Sequence, residues 1–346
     1  MADTQRLGRH RQPPRERVRT PARHHRVRLA AVIAVTSLAV AIVGIFIVSN
    51  PSHSAQVGNS APQRERYGAA TTPGPSIGLY VHGVPDSYAA VNAFTTATGV
   101  KPNEVVYYSG WLEPFQAGFA NTVAHKDAVP LVQMDPTGVS IAAIAAGRYD
   151  SYLSAYAKAV RAYRHPVILS FGHEMNGHWY SWGYTHTSPA VFVAAWRHIV
   201  TLFRTLGAQN VTWLWTINAI HEKTMVPSPG PWWPGTSYVT WVGIDGYYTN
   251  SSSVFSSVFG PTILYVRTLT HKPILIAETS ATPAADQPAK IADVFAGVHL
   301  YGLLGFVWFD SLGKTDWRLS SPAAFAAFRR GAETYDRPAS CATACA

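Results

Sequence analysis

The sequence predicts an α/β fold: a single (β/α)8 barrel preceded by a basic tail, a transmembrane segment and a flexible linker. Three observations carry that expectation. From Ser76 onward, eight short apolar runs alternate with helical stretches, the pattern of repeated strand–helix units. These units fill about 260 residues, the usual size of such a barrel. The segment Gly78-Leu-Tyr-Val-His-Gly83, which follows from the first run, also lacks the glycine-rich phosphate turn that a doubly wound open sheet typically shows.

The elements follow in chain order. Residues 1–28 carry nine arginines against Asp3 and Glu16, so this tail holds seven of the nine net positive charges of the 346-residue chain. The remainder is close to neutral, which excludes a nucleic-acid partner. Leu29 to Val48 contains no charge, and only Thr36, Ser37 and Gly44 depart from strong hydrophobicity. Twenty such residues at about 1.5 Å each span a hydrocarbon core of ~30 Å. Arginines on the N-terminal side place that end in the cytoplasm, and the rest of the chain outside. A cleaved signal peptide is the competing reading. The apolar run is long for one, however, and Ser52-His-Ser-Ala55 puts His53 where a small residue is wanted. Residues 49–75, rich in Pro, Ser, Gly, Ala and Gln, read as a solvated linker.

The barrel is expected over residues 76–335, with a short tail at 336–346. Its strands are read at Ile77–Val81, Glu104–Tyr108, Val129–Met134, Val167–Phe171, Val211–Thr216, Trp241–Asp245, Ile274–Ala277 and Gly305–Trp308. Helices are read at Ser87–Thr98, Ile141–Ala146, Asp150–Tyr163, Pro189–Leu206, Ser253–Leu269, Ala289–Tyr301 and Ala323–Tyr335. Asp150 and Ser188-Pro189 have the look of helix starts. Cys341 and Cys345 are the only cysteines; outside the cell they have the spacing to close a small loop, and a frayed tail is the plainer reading.

Two of the apolar runs lead into glutamates. Glu174 follows the fourth, in Val167-Ile-Leu-Ser-Phe-Gly-His-Glu174, and Glu278 ends the seventh, in Lys272-Pro-Ile-Leu-Ile-Ala-Glu278. The C-terminal strand ends of a barrel converge on one face, where active sites lie. Strands four and seven oppose each other there. Two carboxyls meeting across a cleft supply what glycosidic hydrolysis needs, a proton donor and a nucleophile or base. A lone glutamate after a strand is as readily a cap or a salt-bridge partner, so the opposed placement counts for more than either residue. His173-Glu-Met-Asn-Gly-His178 also superficially matches a zinc-peptidase motif. Its histidines stand five apart rather than four, about 140° out of phase on a helix, and Asn176-Gly177 is a poor helix interior. No metal and no cofactor are expected. Trp179, Tyr180 and Trp182 read as an aromatic shelf for a sugar face.

The segment His173-Glu-Met-Asn-Gly-His-Trp-Tyr-Ser-Trp-Gly183 resembles the acid/base motif of glycoside hydrolase family 26, the endo-β-mannanase and β-glucanase family. The similarity extends through Asn210–Asn218, Tyr238-Val-Thr-Trp-Val-Gly-Ile-Asp-Gly-Tyr-Tyr248, Lys272–Ser280 and Phe306-Val-Trp-Phe-Asp310. The resemblance implies a retaining endo-β-glycanase of the two-glutamate type, with β-1,4-mannan as the expected backbone. Cleavage of a β-glucan or xylan is the alternative, and so is a barrel that binds polysaccharide without cutting it. It implies Glu174 as acid/base and Glu278 as nucleophile. Beside them it implies His173, Trp179, Tyr247 next to the nucleophile and Trp308 as the floor of the subsite at the scissile bond. Phe171-Gly172 departs from the Arg-Pro common in that family, and Ser181 stands where a further aromatic is usual; both put substrate choice in doubt more than the reaction. From the residues alone, Tyr108, Trp111 and Glu113 are candidates for distal sugar subsites or for packing under a loop. Trp232-Trp233, among four prolines, reads as a rigid loop, and Asp310 and Asp316 as hydrogen-bonding or salt-bridging residues. The partners expected are a polysaccharide and, through residues 29–48, a membrane, for a monomeric protein.

Overall fold

The computed structural model describes residues 76–220 and 226–335. The expected basic tail, membrane span, linker and C-terminal tail lie outside the described residues. Among the described ones, no helix is long and apolar enough to cross a membrane.

Eight parallel strands close into a barrel in sequence order: β1 (Ser76–Val81), β2 (Glu104–Gly110), β3 (Val129–Asp135), β4 (Val167–Phe171), β5 (Val211–Asn218), β6 (Trp241–Asp245), β7 (Ile274–Thr279) and β8 (Gly305–Asp310). Strand side chains alternate between faces, and both faces are covered here, so the strands read as nearly continuous apolar runs. Val106, Leu131, Ile168, Leu214, Leu275 and Val307, one from each of six strands, form a separate apolar cluster that fills the barrel. Gly78 of β1 faces the same space. A Cβ there would lie 2.6 Å from the Val307 side chain, so only glycine fits. The alternate residues, such as Leu79, Val105, Val132, Leu169 and Phe306, belong to the larger core beneath the helices.

The helical layer consists of α1 (Ala89–Thr98), α2 (Ala117–Ala124), α3 (Ile141–Ala145), α4 (Asp150–Tyr163), α5 (Pro189–Thr205), α6 (Phe255–Val258), α7 (Gly260–Leu269), α8 (Gln287–Leu300) and α9 (Pro322–Tyr335). Three details differ from the sequence reading. Helix α2 was not anticipated: it has no side-chain cap, and only Phe119, Ala120 and Val123 are buried. The helix expected over 253–269 is broken into α6 and α7, because Pro261 has no N–H to continue the ladder. Asp150 does not cap α4 but sits in its first turn, paired with His198 of α5 at 2.6 Å. Ser188 does occupy the cap position of α5, with Pro189 next, although its side chain makes no capping bond. After β5 the described chain makes only two short 3₁₀ turns, where Trp232 is buried and Trp233 packs on Trp215 at 5.1 Å. That Pro-rich stretch is a packed loop, as expected.

Strand β7 carries the irregularity that matters most. Ile244 pairs with Ile276, but Asp245 pairs with Glu278, so β7 has one extra residue at this level. The same slip recurs towards β8, where Ile276 faces Phe306 and Thr279 faces Trp308. In a regular strand Glu278 would point away from the barrel, opposite to Ala277, which lies in the interior cluster. The bulge re-aims Glu278 into the barrel mouth.

Candidate active site

Strand β4 ends at Phe171, and Gly172 (φ +55°) turns the chain in a conformation that suits glycine. The backbone remains stitched to its neighbours: Gly172 N–H donates to Met134 O and Glu174 N–H to Thr216 O, both at 3.0 Å. Glu174 itself is left-handed, at φ +53°, an uncommon state for a non-glycine residue. Asn176 supports it, exchanging 2.9 Å hydrogen bonds with the main chain of Asn218 at the end of β5. The Asn176-Gly177 turn is thereby tied to the barrel rim, and the Glu174 carboxyl points over the mouth.

Glu174 and Glu278 are both buried, with 7% and 6% of their surface exposed. Their partners differ. Glu174 accepts from Asn218 Nδ2 at one oxygen and from Trp179 Nε1 at the other, 2.7 Å away. Burial, with the charge of Glu278 nearby, raises its pKa to about 7 against these donors. Glu278 accepts from two phenols, Tyr108 Oη at Oε1 and Tyr247 Oη at Oε2 (2.5 Å for the latter). Burial first and the Glu278 charge second push both tyrosines well above the usual phenol range, so they remain donors. Glu278 thus acts as acceptor at both oxygens, the role of an ionised carboxylate.

His173 lies between these groups, 2% exposed, with Nδ1 3.0 Å from Asp135 Oδ1 and Nε2 3.0 Å from Tyr180 Oη. Burial alone would favour the neutral ring. The Asp135 carboxylate reverses that, with Glu278 and Glu174 behind it, and the imidazole is held protonated to about pH 9. Asp245 ends β6 next to Glu278; it is wholly buried and its carboxyl has no hydrogen-bond partner. Burial, then the charges of Glu278 and Glu174, push its pKa well above the usual carboxylate range. Below the rim, Ser170 and Thr216 share a 3.0 Å hydrogen bond.

A cavity of about 380 Å³ opens over the two glutamates, lined also by Tyr108, Tyr180, Tyr247, Phe309 and Trp317. A slightly larger groove, about 410 Å³ between α8 and α9, has no carboxylate in its wall and is remote from this chemistry. Trp317 lies over Tyr247 with ring centroids 4.7 Å apart, and its carbonyl accepts from Ser280 Oγ at 2.9 Å. The loop after β8 is therefore fastened to the loop after β7. Asp310 accepts from Leu319 N–H at 2.7 Å and Asp316 pairs with Arg318 at 2.8 Å, the structural roles read from sequence. Among the described residues no three His, Cys, Asp or Glu side chains come together as a metal-binding group.

Of the residues singled out in the sequence, Glu174, Glu278, His173, Tyr247 and Trp179 come together here. Trp179 is 44% exposed beside the carboxyl it donates to, which leaves its ring open to a ligand. Three tryptophans do not reach the site. Trp308, expected as the subsite floor, is fully buried and packs edge-on against Phe328 of α9 at 5.8 Å. Strand alternation sends 308 outward and 309 inward, so Phe309 and Trp317 line the cavity in its place. Trp111 is likewise packed, 8% exposed among Tyr149, Tyr152 and Phe171, under the loop after β2. Trp182, read as part of the shelf, is buried and stacks behind Tyr180 at 4.4 Å. Tyr108 lines the cavity and donates to Glu278 rather than standing apart from the glutamates. Sequence reasoning missed Asn218, Asp135, Asp245 and Trp317. Period-two alternation from Thr212 through Thr216 would have found Asn218; no periodicity marks Trp317, which lies in a loop.

A model of glycosyl hydrolase family 26 matches residues 112–268. Endoglucanase H of Acetivibrio thermocellus is 30% identical over 273 residues, which cover 74% of this chain and 30% of that protein. Beta-1,3-xylanase TXYA of a Vibrio species is 27% identical over 167 residues, 45% of this chain and 35% of the relative. The chain thus spans about a third of the length of the curated relatives it matches. Among solved structures, a modular endo-β-1,4-mannanase of Cellulomonas fimi superposes with a TM-score of 0.57 at 15% identity, covering 76% of this chain and 70% of that one. The Bacillus subtilis mannanase BCman gives a TM-score of 0.52 at 20% identity, with 74% and 83% covered. At these identities the structural likeness establishes the fold.

Proposed function

The chain belongs to glycoside hydrolase family 26, and from that premise we propose that it is a retaining endo-β-glycanase with Glu278 as nucleophile and Glu174 as acid/base. The observation that carries this division of labour is the unequal treatment of the two carboxyls. Glu278 receives two phenol hydroxyls, while Glu174 is raised to about 7 and so keeps its proton to far higher pH than an ordinary carboxyl. In the first step Glu278 attacks the anomeric carbon as Glu174 passes its proton to the departing oxygen. In the second, Glu174 takes a proton from water, and that water displaces Glu278 from the sugar. This double displacement calls for carboxyls roughly 5–5.5 Å apart, whereas inversion needs roughly 6.5–9.5 Å. Trp317, backed by Tyr247, provides the apolar platform for the sugar held by Glu278. The exposed ring of Trp179 serves the leaving-group side.

β-1,4-Mannan is the backbone proposed from the sequence motifs. A β-glucan is the second reading, favoured by the identity to a relative named as an endoglucanase. Incubating the protein with β-mannan, mixed-linkage β-glucan and xylan separates these, and NMR of the first-formed anomer tests retention. An inverted first product, or no hydrolysis of any β-glycan, refutes the proposal. We further propose that residues 29–48 anchor the protein with the barrel outside the cell. Protease added to intact cells is then expected to release the barrel by cutting within 49–75, and finding all of the protein soluble in the medium with a start near Gln56 would refute the anchor.

A further inference from the structure

We propose that Asp135, acting through His173, is a positioning residue that fixes the Tyr180 hydroxyl as a hydrogen-bond donor to a sugar hydroxyl in the cleft. The proposal rests on the glycanase reading and adds a recognition element to it. The argument is one of hydrogen-bond direction. A doubly protonated imidazole has two donors and no acceptor. His173 has two partners, Asp135 Oδ1 and Tyr180 Oη, each at 3.0 Å. With both ring nitrogens protonated, Tyr180 Oη must accept from Nε2–H, and its own hydrogen must point elsewhere. Tyr180 lines the cavity over Glu174 and Glu278, so the direction left open is the cleft. A neutral ring protonated at Nδ1 reverses the chain: Nε2 accepts from Tyr180, and the cleft meets only an oxygen lone pair. The charge on His173 therefore sets whether the substrate meets a donor or an acceptor.

The surroundings hold this arrangement in place. Trp182 stacks on the Tyr180 ring, nearly parallel at 8°, and donates its Nε1–H to the main-chain oxygen of His173 at 2.7 Å. Both ends of the His173–Tyr180 contact are thus clamped by one buried side chain. Asp135 closes β3, in register with Gly110 of β2. The ionisable groups around the pair are largely acidic or phenolic. Glu174 from the same loop and Glu278 from β7 act on His173, whose ring also meets Tyr108 of β2 at 5.6 Å. Asp135 from β3 and Asp245 from β6 act on Tyr180 with them. Lys314, in the exposed loop after β8, lines the same cavity.

The experiment compares Asp135→Asn, Tyr180→Phe and the double variant with the wild-type protein, on whichever β-glycan the wild type hydrolyses. Asparagine keeps an acceptor for Nδ1–H and removes the charge. Nitrogen-15 NMR of the imidazole should show both nitrogens protonated up to about pH 9 in the wild type. In Asp135→Asn the Nε2 proton should be lost nearer the ordinary histidine value of about 6.5. The wild-type-to-variant ratio of kcat/KM should then widen by about tenfold between pH 5 and pH 8, as a substrate hydrogen bond is lost. Tyr180→Phe should lower kcat/KM by about tenfold at both ends of that range. Adding Asp135→Asn to Tyr180→Phe should leave no further pH dependence. If the widening persists without the Tyr180 hydroxyl, Asp135 acts through the charge on Glu174 and the proposal is overturned. An imidazole still doubly protonated at pH 8 in Asp135→Asn also overturns it. A wild-type protein inert on every β-glycan would instead overturn the glycanase reading, and the sugar-donor role with it.

Discussion

Replacing Asn218 by alanine should move the alkaline limit of activity upward while leaving the fold of the site intact. Asn218 Nδ2 is one of two donors to the Glu174 carboxyl, and Trp179 Nε1 is the other. The bonds from Asn218 to Asn176 use its main-chain atoms, so they survive the substitution. A hydrogen bond to an ionised group contributes about 1.5–3 kcal/mol, against about 0.5–1.5 kcal/mol to a neutral one, so losing it disfavours ionised Glu174 by roughly 1 kcal/mol. One pH unit corresponds to about 1.4 kcal/mol, and the wild-type value of about 7 should therefore rise by about 0.5–1 pH unit. In its proposed role as the acid Glu174 must be protonated, so kcat/KM should persist to correspondingly higher pH. The assay is the pH profile of kcat/KM, checked against a ¹³C titration of the Glu174 carboxyl. A limb that stays in place, or moves to lower pH, would show that Asn218 does not stabilise the ionised carboxyl and would refute the reasoning.

Four other outcomes are expected. Glu278→Ala should abolish turnover on every substrate. Glu174→Ala should spare aryl glycosides with acidic leaving groups, which depart without a proton; equal loss in both variants on such substrates would reverse the assignment of roles. Trp317→Ala should raise KM several-fold through loss of the ring over Tyr247, and an unchanged KM would place the sugar platform elsewhere. Glu104→Gln should stabilise the protein at neutral pH. Burial, offset only in part by the Ser76 hydroxyl, raises the Glu104 carboxyl to about 7, from 4.5 when exposed. A raised value means that the contribution of Glu104 is fully present below pH 4.5 and is lost as pH rises to about 7, a difference of about 3 kcal/mol. Urea unfolding of both proteins at pH 4 and pH 8 checks this; a stability gap that does not change with pH would refute it.

The eight strands and the opposed glutamates were legible in the sequence because both are properties of period and order. Which side chain of a strand faces the barrel was not legible. Strands covered on both faces show no polar alternation, so nothing in Gly305-Phe-Val-Trp-Phe-Asp310 announced that Trp308 faces α9 and Phe309 the cleft. Family resemblance located a tryptophan near the end of β8, and the wall of the cavity instead takes Trp317 from the loop beyond it. Glu278 presents the converse case. Its assignment to the cleft agrees with the structure, yet regular parity from Ala277 would have sent it outward, and only the bulge in β7 brings it in. Polar residues on inner positions were readable in principle, since Thr212, Thr216 and Asn218 alternate along β5.

The same inner positions explain why the pH limits of this site cannot belong to single residues. Glu174, Glu278 and Asp245 crowd one end of the barrel, where Glu278 raises the cost of ionising Glu174, and both raise that of ionising Asp245. The imidazolium of His173 opposes that crowding and is itself maintained by Asp135. Ionisation is disfavoured further at Asp245, since no donor reaches its carboxyl. Protons bound to such a cluster leave in steps that belong to the group as a whole. The polar layer that makes this possible replaces branched apolar residues which would otherwise pack the upper barrel, so the fold gives up stability at the level where its chemistry is set.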